Sequence, residues 1–398
     1  MKKIVLITKD AVSKNYLPVY KNKYWKTPNM EELANKGTVY NRHYTVAAST
    51  AMAFYSMITG ENCFQTSCKD YGDEQPFNGE TIFDKFEKLG YKTYLIWDKT
   101  YTSFAKQHLK IVDGKTEVIS LDIIPNIPPH QKGIFDDLTF KDKDTNLAMK
   151  RIKDMFLELG EKDENSFVWI HLPHVLAGRN SYCSDIDLFD DVVGYAREIF
   201  GDESIFISAD HGNMDGKNGK FGYGFDLEET AICIPLISPR VENLSEIDFL
   251  TSNLDLFDIL LRKPNKQEYV VSDTAYYCQP KRKIAIIHSH FKLIYDKSKK
   301  RFCLFDLNWD PDEKYNLFYP EFYDVDRMSW YSLNQRFFYP FWSEAIKEKE
   351  LLLKRFDEIW RVGSTCIELK NKIKFRLKYL YKSMKKSKIN KSFKNVGK

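Results

Sequence analysis

A short unbroken apolar run, Ile4-Val5-Leu6-Ile7, opens the chain and is closed by charge at Lys9 and Asp10. Such a run, too short for a helix and without polar alternation, predicts a strand buried on both faces. Ile205-Phe206-Ile207-Ser208 has the same character and stops at Asp210-His211-Gly212-Asn213. Between Thr27 and Gly37 the pattern changes to a helix. Thr27 is placed to cap it, Pro28 takes the first helical position, Glu31 and Glu32 follow in the first turn, and Gly37 closes it. Thr38 to Tyr44 predicts a second strand. Ala47 to Gly60 predicts a second helix, with Ser49 and Thr50 at its start and Gly60 at its end. Ser343 to Trp360 predicts a late helix.

With 398 residues, 43% of them hydrophobic and 15% aromatic, the chain can bury a large α/β core in one domain or two. No apolar run reaches the roughly 18 residues of a membrane span. The apolar start is too short for an export signal, so a cytoplasmic protein is expected. Seven scattered cysteines fit free thiols in a reducing compartment. Charge is unevenly spread: residues 370–398 hold twelve Lys and Arg and no acid, leaving the rest of the chain at −8. Ile373, Leu377, Leu380, Tyr381 and Met384 recur there at helical spacing. A solvated or disordered tail accounts for this. So does a basic amphipathic helix on an anionic membrane surface, which would make the protein peripheral at the inner membrane. Nucleic acid is a weaker expectation for the partner.

Asp10 and Asp210 each follow the carboxyl end of a strand, where open α/β sheets build their sites, and a carboxylate with an imidazole beside it suits a divalent metal. A turn or cap role is the plainer reading for each. A hydroxyl at a helix start, such as Thr50, serves equally as an N-cap or as a nucleophile. In the second case the helix amides hold anionic oxygens and a cation activates the hydroxyl. His171 and His174, spaced by Leu-Pro at a strand end, are candidate catalytic groups. Lys220 in the Gly219–Gly224 loop is a candidate for a substrate anion. His288 and His290, two apart and so on one side of a strand, are candidates to close the site. Asn213 either assists a metal or caps a turn. His43, His108 and His130 are expected to be structural. Ten aromatic residues between Tyr319 and Trp342 form either a packed subdomain or a sticky surface.

The order of segments over roughly residues 1 to 320 resembles the sulfatase and alkaline phosphatase superfamily. The resemblance is carried by Asp10, the Thr27-Pro28-Asn29…Leu33-Ala34…Gly37 helix, and Thr50 ahead of Thr59-Gly60. It continues through the Thr81–Leu89 helix into Gly90-Tyr91, the Phe167–Ile170 strand before His171-Leu172-Pro173-His174, and the helix at Asp190-Asp191. Asp210-His211-Gly212, a following strand at Thr230–Ile237, and Phe291–Ile294 with Asp310-Pro311-Asp312-Glu313…Asn316-Leu317 complete it. It implies a three-layer α/β/α sandwich around a mostly parallel sheet, with a small antiparallel C-terminal hairpin subdomain. The implied organisation is a catalytic domain over 1–320, an aromatic helical extension over 321–369 and a basic tail over 370–398.

Departures from the family sharpen the expectation. A sulfatase has Cys or Ser at position 50, followed by Pro and Arg at 52 and 54, and converts it to formylglycine. Here Thr50, Met52 and Phe54 stand there, which resembles the phosphoethanolamine and phosphoglycerol transferases. The paired Asp-Asp of the family is Lys9-Asp10. The resemblance therefore implies one divalent ion (Mn, Zn, Mg or Ca) on Asp10, Thr50, Asp210 and His211. Lys9, Lys220, His288 and His290 are expected toward substrate, the plainer readings being a turn loop for Lys220 and surface strand positions for the two histidines. The expected activity is transfer or hydrolysis of a phosphodiester through Thr50, on a small-molecule, glycan or lipid-linked ester. A sulfate-ester hydrolase and a catalytically silent binding module are the alternatives.

Overall fold

A computed structural model describes residues 2–22, 25–62, 77, 79–97, 116–121, 142–173, 182–274, 282–318 and 339–360. Two compact units are distinguished, Met1–Lys349 and Glu350–Lys398. The boundaries expected at 320 and 369, the aromatic stretch up to 338 and the basic tail lie outside the described residues. No helix among the described residues is long and apolar enough to cross a membrane.

The strands of the larger unit, in chain order, are β1 (Lys3–Lys9), β2 (Thr38–Tyr40), β3 (His43–Tyr44), β4 (Lys92–Trp97), β5 (Glu117–Ser120), β6 (Ser166–Leu172), β7 (Ile205–Ala209), β8 (Met214–Asp215), β9 (Phe221–Gly222), β10 (Leu236–Ser238), β11 (Glu246–Ile247), β12 (Thr251–Ser252), β13 (Tyr269–Asp273), β14 (Lys283–His288), β15 (Phe291–Asp296) and β16 (Arg301–Asp306). Eight form the central sheet, in the order β11-β2-β10-β7-β1-β6-β4-β5. All its pairings are parallel except the two made by β10. β13 to β16 make a separate antiparallel sheet.

Period-two geometry sorts β1 between the two faces of the sheet. Val5 and Ile7 pack with Met30, Leu33, Ile152, Phe156, Phe189 and Val192 under the Pro28–Lys36, Asp142–Glu161 and Tyr182–Phe200 helices. Ile4 and Leu6 pack with Phe54, Met57, Phe83 and Ile259 under the Thr50–Thr59, Ile82–Lys88 and Leu256–Leu260 helices. Helices thus cover both faces, giving the three-layer arrangement that near-continuous apolar strands require. The same parity puts Thr8 on the Thr50 side of the sheet and Lys9 on the other.

Four local expectations are corrected. Thr38 to Tyr44 is two strands, because β3 leaves the main sheet to pair with β12. Thr230–Ile237 is a short helix, Glu229–Ile232, followed by β10. Thr27 does not cap its helix through its side chain. The carboxylate of Asp190, on the Tyr182–Phe200 helix, does so instead, accepting from Asn29 N at 3.1 Å and Met30 N at 2.9 Å. His290 is not a strand residue: Phe291 pairs with His288, so Ser289 and His290 form the hairpin turn, with Ser289 at φ 47°.

Candidate metal and nucleophile site

Three neighbouring strands of the central sheet, β7, β1 and β6, deliver the site from their carboxyl ends. Asp210 and His211 follow β7, Asp10 follows β1, and His171 is the next-to-last residue of β6. One ligand atom each from Asp10, His171 and Asp210 lie within 4.8 Å of one another, and all three residues are buried. Asp210 Oδ1 accepts from Ala11 N at 3.1 Å and His211 N at 2.8 Å. Its Oδ2 has no hydrogen-bond partner and stands 3.5 Å from His211 Nε2, which is also 3.5 Å from Asp10 Oδ1. Ala11 holds a left-handed conformation at φ 61° to make its bond, a strain of the kind found at functional sites. Gly212 is required by close approach: a Cβ there would lie 2.1 Å from Thr230 O.

Thr50 begins the Thr50–Thr59 helix, with Ser49 as N-cap. The Ser49 side chain makes no capping bond, so the first-turn amides are left for another oxygen. Thr50 Oγ1 is 3.1 Å from His211 Nε2, and His211 Nδ1 is 2.9 Å from Gly212 O. A carbonyl only accepts, so the Gly212 bond puts the ring hydrogen on Nδ1. The Nε2 lone pair therefore faces the Thr50 hydroxyl.

The donor set fits a small divalent cation. Bonds of about 2.1 Å set neighbouring donors roughly 3.0–3.4 Å apart. Thr50 Oγ1 at 3.1 Å from His211 Nε2 falls in that range, and the two carboxylates at 3.5 Å lie just beyond it. Burial pushes the Asp210 carboxyl up to about 6, helped by Asp10 and opposed by His211. Burial also holds the His171 imidazole down to about 3, leaving it neutral. Its Nδ1 is 3.0 Å from Thr8 Oγ1, and its ring meets Phe54 edge-on at 4.5 Å. With the Nδ1 hydrogen on Thr8, the Nε2 lone pair is the ring atom that could ligate a cation.

Proton and cation compete for Asp210. Apparent Mn²⁺ affinity is expected to fall by about tenfold per pH unit below about 6. Calorimetric titration from pH 5 to 8 checks this; an affinity flat over that range would remove Asp210 from the ligands.

Asp10, Thr50, Asp210, His211 and His171 are thus brought together. His171, named as a candidate catalytic group, stands among the possible ligand residues. Four expected substrate contacts do not meet the cluster. Lys9, fully buried on the opposite face, pairs with Asp185 at 2.5 Å and donates to Pro173 O at 2.8 Å. Lys220 is held by Asp226 at 2.8 Å and Glu228 at 2.5 Å. His288 pairs with Glu348 at 2.8 Å, and His290 lies 3.6 Å from Glu344, both in the antiparallel-sheet region. His174 lies outside the described residues. Asn213 Oδ1 is buried without a hydrogen-bond partner.

Thr8, Asp185 and Tyr223 were not singled out from the sequence, and Phe54 only as a departure from the sulfatase pattern. Strand parity marks Thr8 as sharing a face with His171, and the i, i+4 offset from Thr50 marks Phe54. Tyr223, whose ring lies 4.5 Å from that of His211, has no signal beyond its glycine-flanked loop.

Residues 2–175 match the family model described as Sulfatase. No curated protein matches the chain in sequence. Among solved structures, a 2-O GAG sulfatase is similar at a TM-score of 0.68 and 14% identity, over 91% of this chain and 92% of that one. A phosphonate monoester hydrolase from Silicibacter pomeroyi is similar at 0.61 and 14%, over 77% and 89%. A protein solved with its substrate D-glucosamine-2-N,6-O-disulfate is similar at 0.58 and 13%, over 92% and 98%. The mostly parallel sheet and its antiparallel partner sheet are the fold shared with these sulfatase and phosphonate monoester hydrolase structures. Residues 2–175 are thus sulfatase-like in sequence, and the described chain has the fold of the sulfatases it matches.

Proposed function

We propose that this chain is a metal-dependent phosphodiester hydrolase or transferase that works through a covalent intermediate on Thr50. The observation that carries the reading is the placement of the Thr50 hydroxyl. It stands at an open helix N-terminus, 3.1 Å from His211 Nε2 and beside two buried carboxylates. Asp10, Asp210, His211 and His171 would hold a divalent ion, which would supply Lewis acidity to lower the hydroxyl's pKa and offset charge on the ester oxygens. Thr50 Oγ1 forms the bond to phosphorus as the ester P–O bond breaks. The amides at the start of its helix hold the non-bridging oxygens, which costs no reorganisation during the reaction. The hydroxyl proton passes through water to the departing ester oxygen, because the single His211 Nε2 lone pair is a ligand of the ion. Water or an acceptor hydroxyl then removes the group from Thr50. Phe54 stands where a sulfatase carries arginine and walls His171 with a ring, so the cationic clamp of that position is absent.

The test is peptide mapping after incubation with bis-p-nitrophenyl phosphate and Mn²⁺ or Zn²⁺, quenched in acid. A nitrophenyl-phosphoryl mass gain on the peptide containing Thr50 is expected. Turnover with no adduct trapped under any quench would refute the covalent route. A sulfate-ester hydrolase is the second reading, favoured by the family match of residues 2–175. It must work without formylglycine, because threonine cannot form it, and aryl sulfates in the same assay separate the two. The glucosamine disulfate bound by one structural neighbour makes a sugar ester a reasonable substrate class.

A further inference from the structure

Three polar side chains meet beside the metal cluster, on the Thr50 side of the central sheet. β1 and β6 pair in parallel with Thr8 opposite His171. Trp169 stands two residues before His171, so strand parity puts its indole on the same face. Trp169, Thr8 and His171 are all fully buried. Trp169 Nε1 is 2.8 Å from Thr8 Oγ1, which is 3.0 Å from His171 Nδ1 and 3.4 Å from Ile170 O.

Counting hydrogens gives each bond its direction. An indole N–H only donates and a backbone carbonyl only accepts, while a hydroxyl has one hydrogen and two lone pairs. The indole occupies one lone pair of Thr8. If the Thr8 hydrogen goes to Ile170 O, the second lone pair receives Nδ1–H and all four groups are satisfied. If that hydrogen goes to Nδ1 instead, the Ile170 bond is lost and the ring's own hydrogen moves to Nε2, the atom left to face the Asp10 and Asp210 carboxylates. Buried polar groups settle in the arrangement that leaves fewest of them unpaired, which is the first. The indole cannot swing away, because its ring is packed between Phe54 at 5.3 Å and Phe83 at 5.9 Å. Phe54 also meets His171 edge-on at 4.5 Å, so the helix that carries Thr50 steadies both the indole and the imidazole.

We infer that Thr8, oriented by the Trp169 indole, is a positioning residue that holds His171 as its Nδ1–H tautomer and so turns the Nε2 lone pair to the metal cluster. Its consequence for a bound ion rests on the proposed function. Thr8 acts through the imidazole and not on substrate. Losing the partner on the far nitrogen of a ligating imidazole costs roughly 10–100-fold in metal affinity.

Histidine labelled with ring ¹⁵N in the full chain tests this, because long-range ¹H–¹⁵N correlations report the tautomer. His171→Gln identifies the His171 signals among those of eight histidines. Near neutral pH the metal-free parent should carry its hydrogen on Nδ1, and added Zn²⁺ should shift the Nε2 signal far more than the Nδ1 signal. Thr8→Val keeps the side-chain shape without the hydroxyl. It should move the hydrogen to Nε2, where carboxylates accept it, and weaken Mn²⁺ binding in calorimetry by at least about tenfold. Thr8→Ser should keep the parent's tautomer and bind Mn²⁺ nearly as the parent does. Trp169→Phe keeps the ring stack without the N–H and should show both tautomers. Circular dichroism shows that each variant is folded. Hydrogen on Nε2 in the metal-free parent, parental Mn²⁺ affinity in Thr8→Val, or equal loss in the serine and valine variants overturns the inference. Should Thr8→Val not fold, a Trp169→Phe chain with the parent's tautomer alone overturns it instead. If the parent binds no divalent ion but Thr8→Val still switches the tautomer, the proposed function falls and the role of Thr8 stands.

Discussion

Thr50→Ala is expected to lower turnover of every accepted ester by at least about 10⁴-fold, the scale seen when a covalent nucleophile is removed. The fold should survive. Thr50 is the first residue of its helix, alanine is a good helix former there, and only the bond to His211 is lost, at a cost of about 1 kcal/mol. Thr50→Ser keeps a hydroxyl on the same carbon and should retain a measurable fraction of the rate. Steady-state kinetics at saturating Mn²⁺, with thermal unfolding as the fold control, decides the matter. Near-parental rates for the alanine variant would show that another group attacks. Equal loss in the serine and alanine variants would show that the position matters through packing instead of through its oxygen.

Much of this site was legible because strand ends announce themselves. Asp10 and Asp210 each close an unbroken apolar run, and β7 and β1 are neighbours, so the two carboxylates converge without any long loop. Thr50 was legible through its place at a helix start. The same sequence logic misled for charged residues whose partners are distant in the chain. Lys9 sits next to Asp10, yet strand parity turns it to the opposite face, where Asp185 takes its charge. Lys220 follows the Asp-His-Gly loop, yet two acids eight residues or fewer away, Asp226 and Glu228, hold it more directly than any substrate would. His288 and His290 share a spacing but not a strand, because the hairpin turns between them. Asp190 was seen only as part of a motif. Its work, capping a helix that starts at Pro28, depends on a contact across 160 residues that no local pattern reports.

A second large effect is expected at a residue outside the metal cluster. Lys292 on β15 is fully buried and reaches Glu229 at 3.0 Å and Glu313 at 2.6 Å. Glu229 opens the short helix against which Gly212 packs, and Glu229 N donates to Glu313 Oε2 at 2.6 Å. One ammonium thus ties the antiparallel sheet and the 310–317 loop to the floor of the Asp-His-Gly turn. Burial opposes ionisation of Glu229, but Lys292 and Lys14 outweigh it and hold that carboxyl below the usual range. Burial pushes Glu313 up to about 7, against the pull of Lys292. Lys292→Met leaves two buried carboxylates without their shared cation and should cost about 3–5 kcal/mol of stability. The sign with pH follows from the raised carboxyl. The folded state binds the Glu313 proton more tightly than the unfolded state does. That contribution is complete below about 4.5 and is lost as pH rises through about 7. Without Lys292 the carboxyl moves higher still, so the deficit of the methionine variant should grow from pH 5 to pH 8. Adding Glu313→Gln should return part of the loss by removing one buried charge, which a double-mutant cycle in urea measures. A deficit independent of pH would mean that the methionine variant fails through packing and that the shared ammonium does not govern these carboxylates.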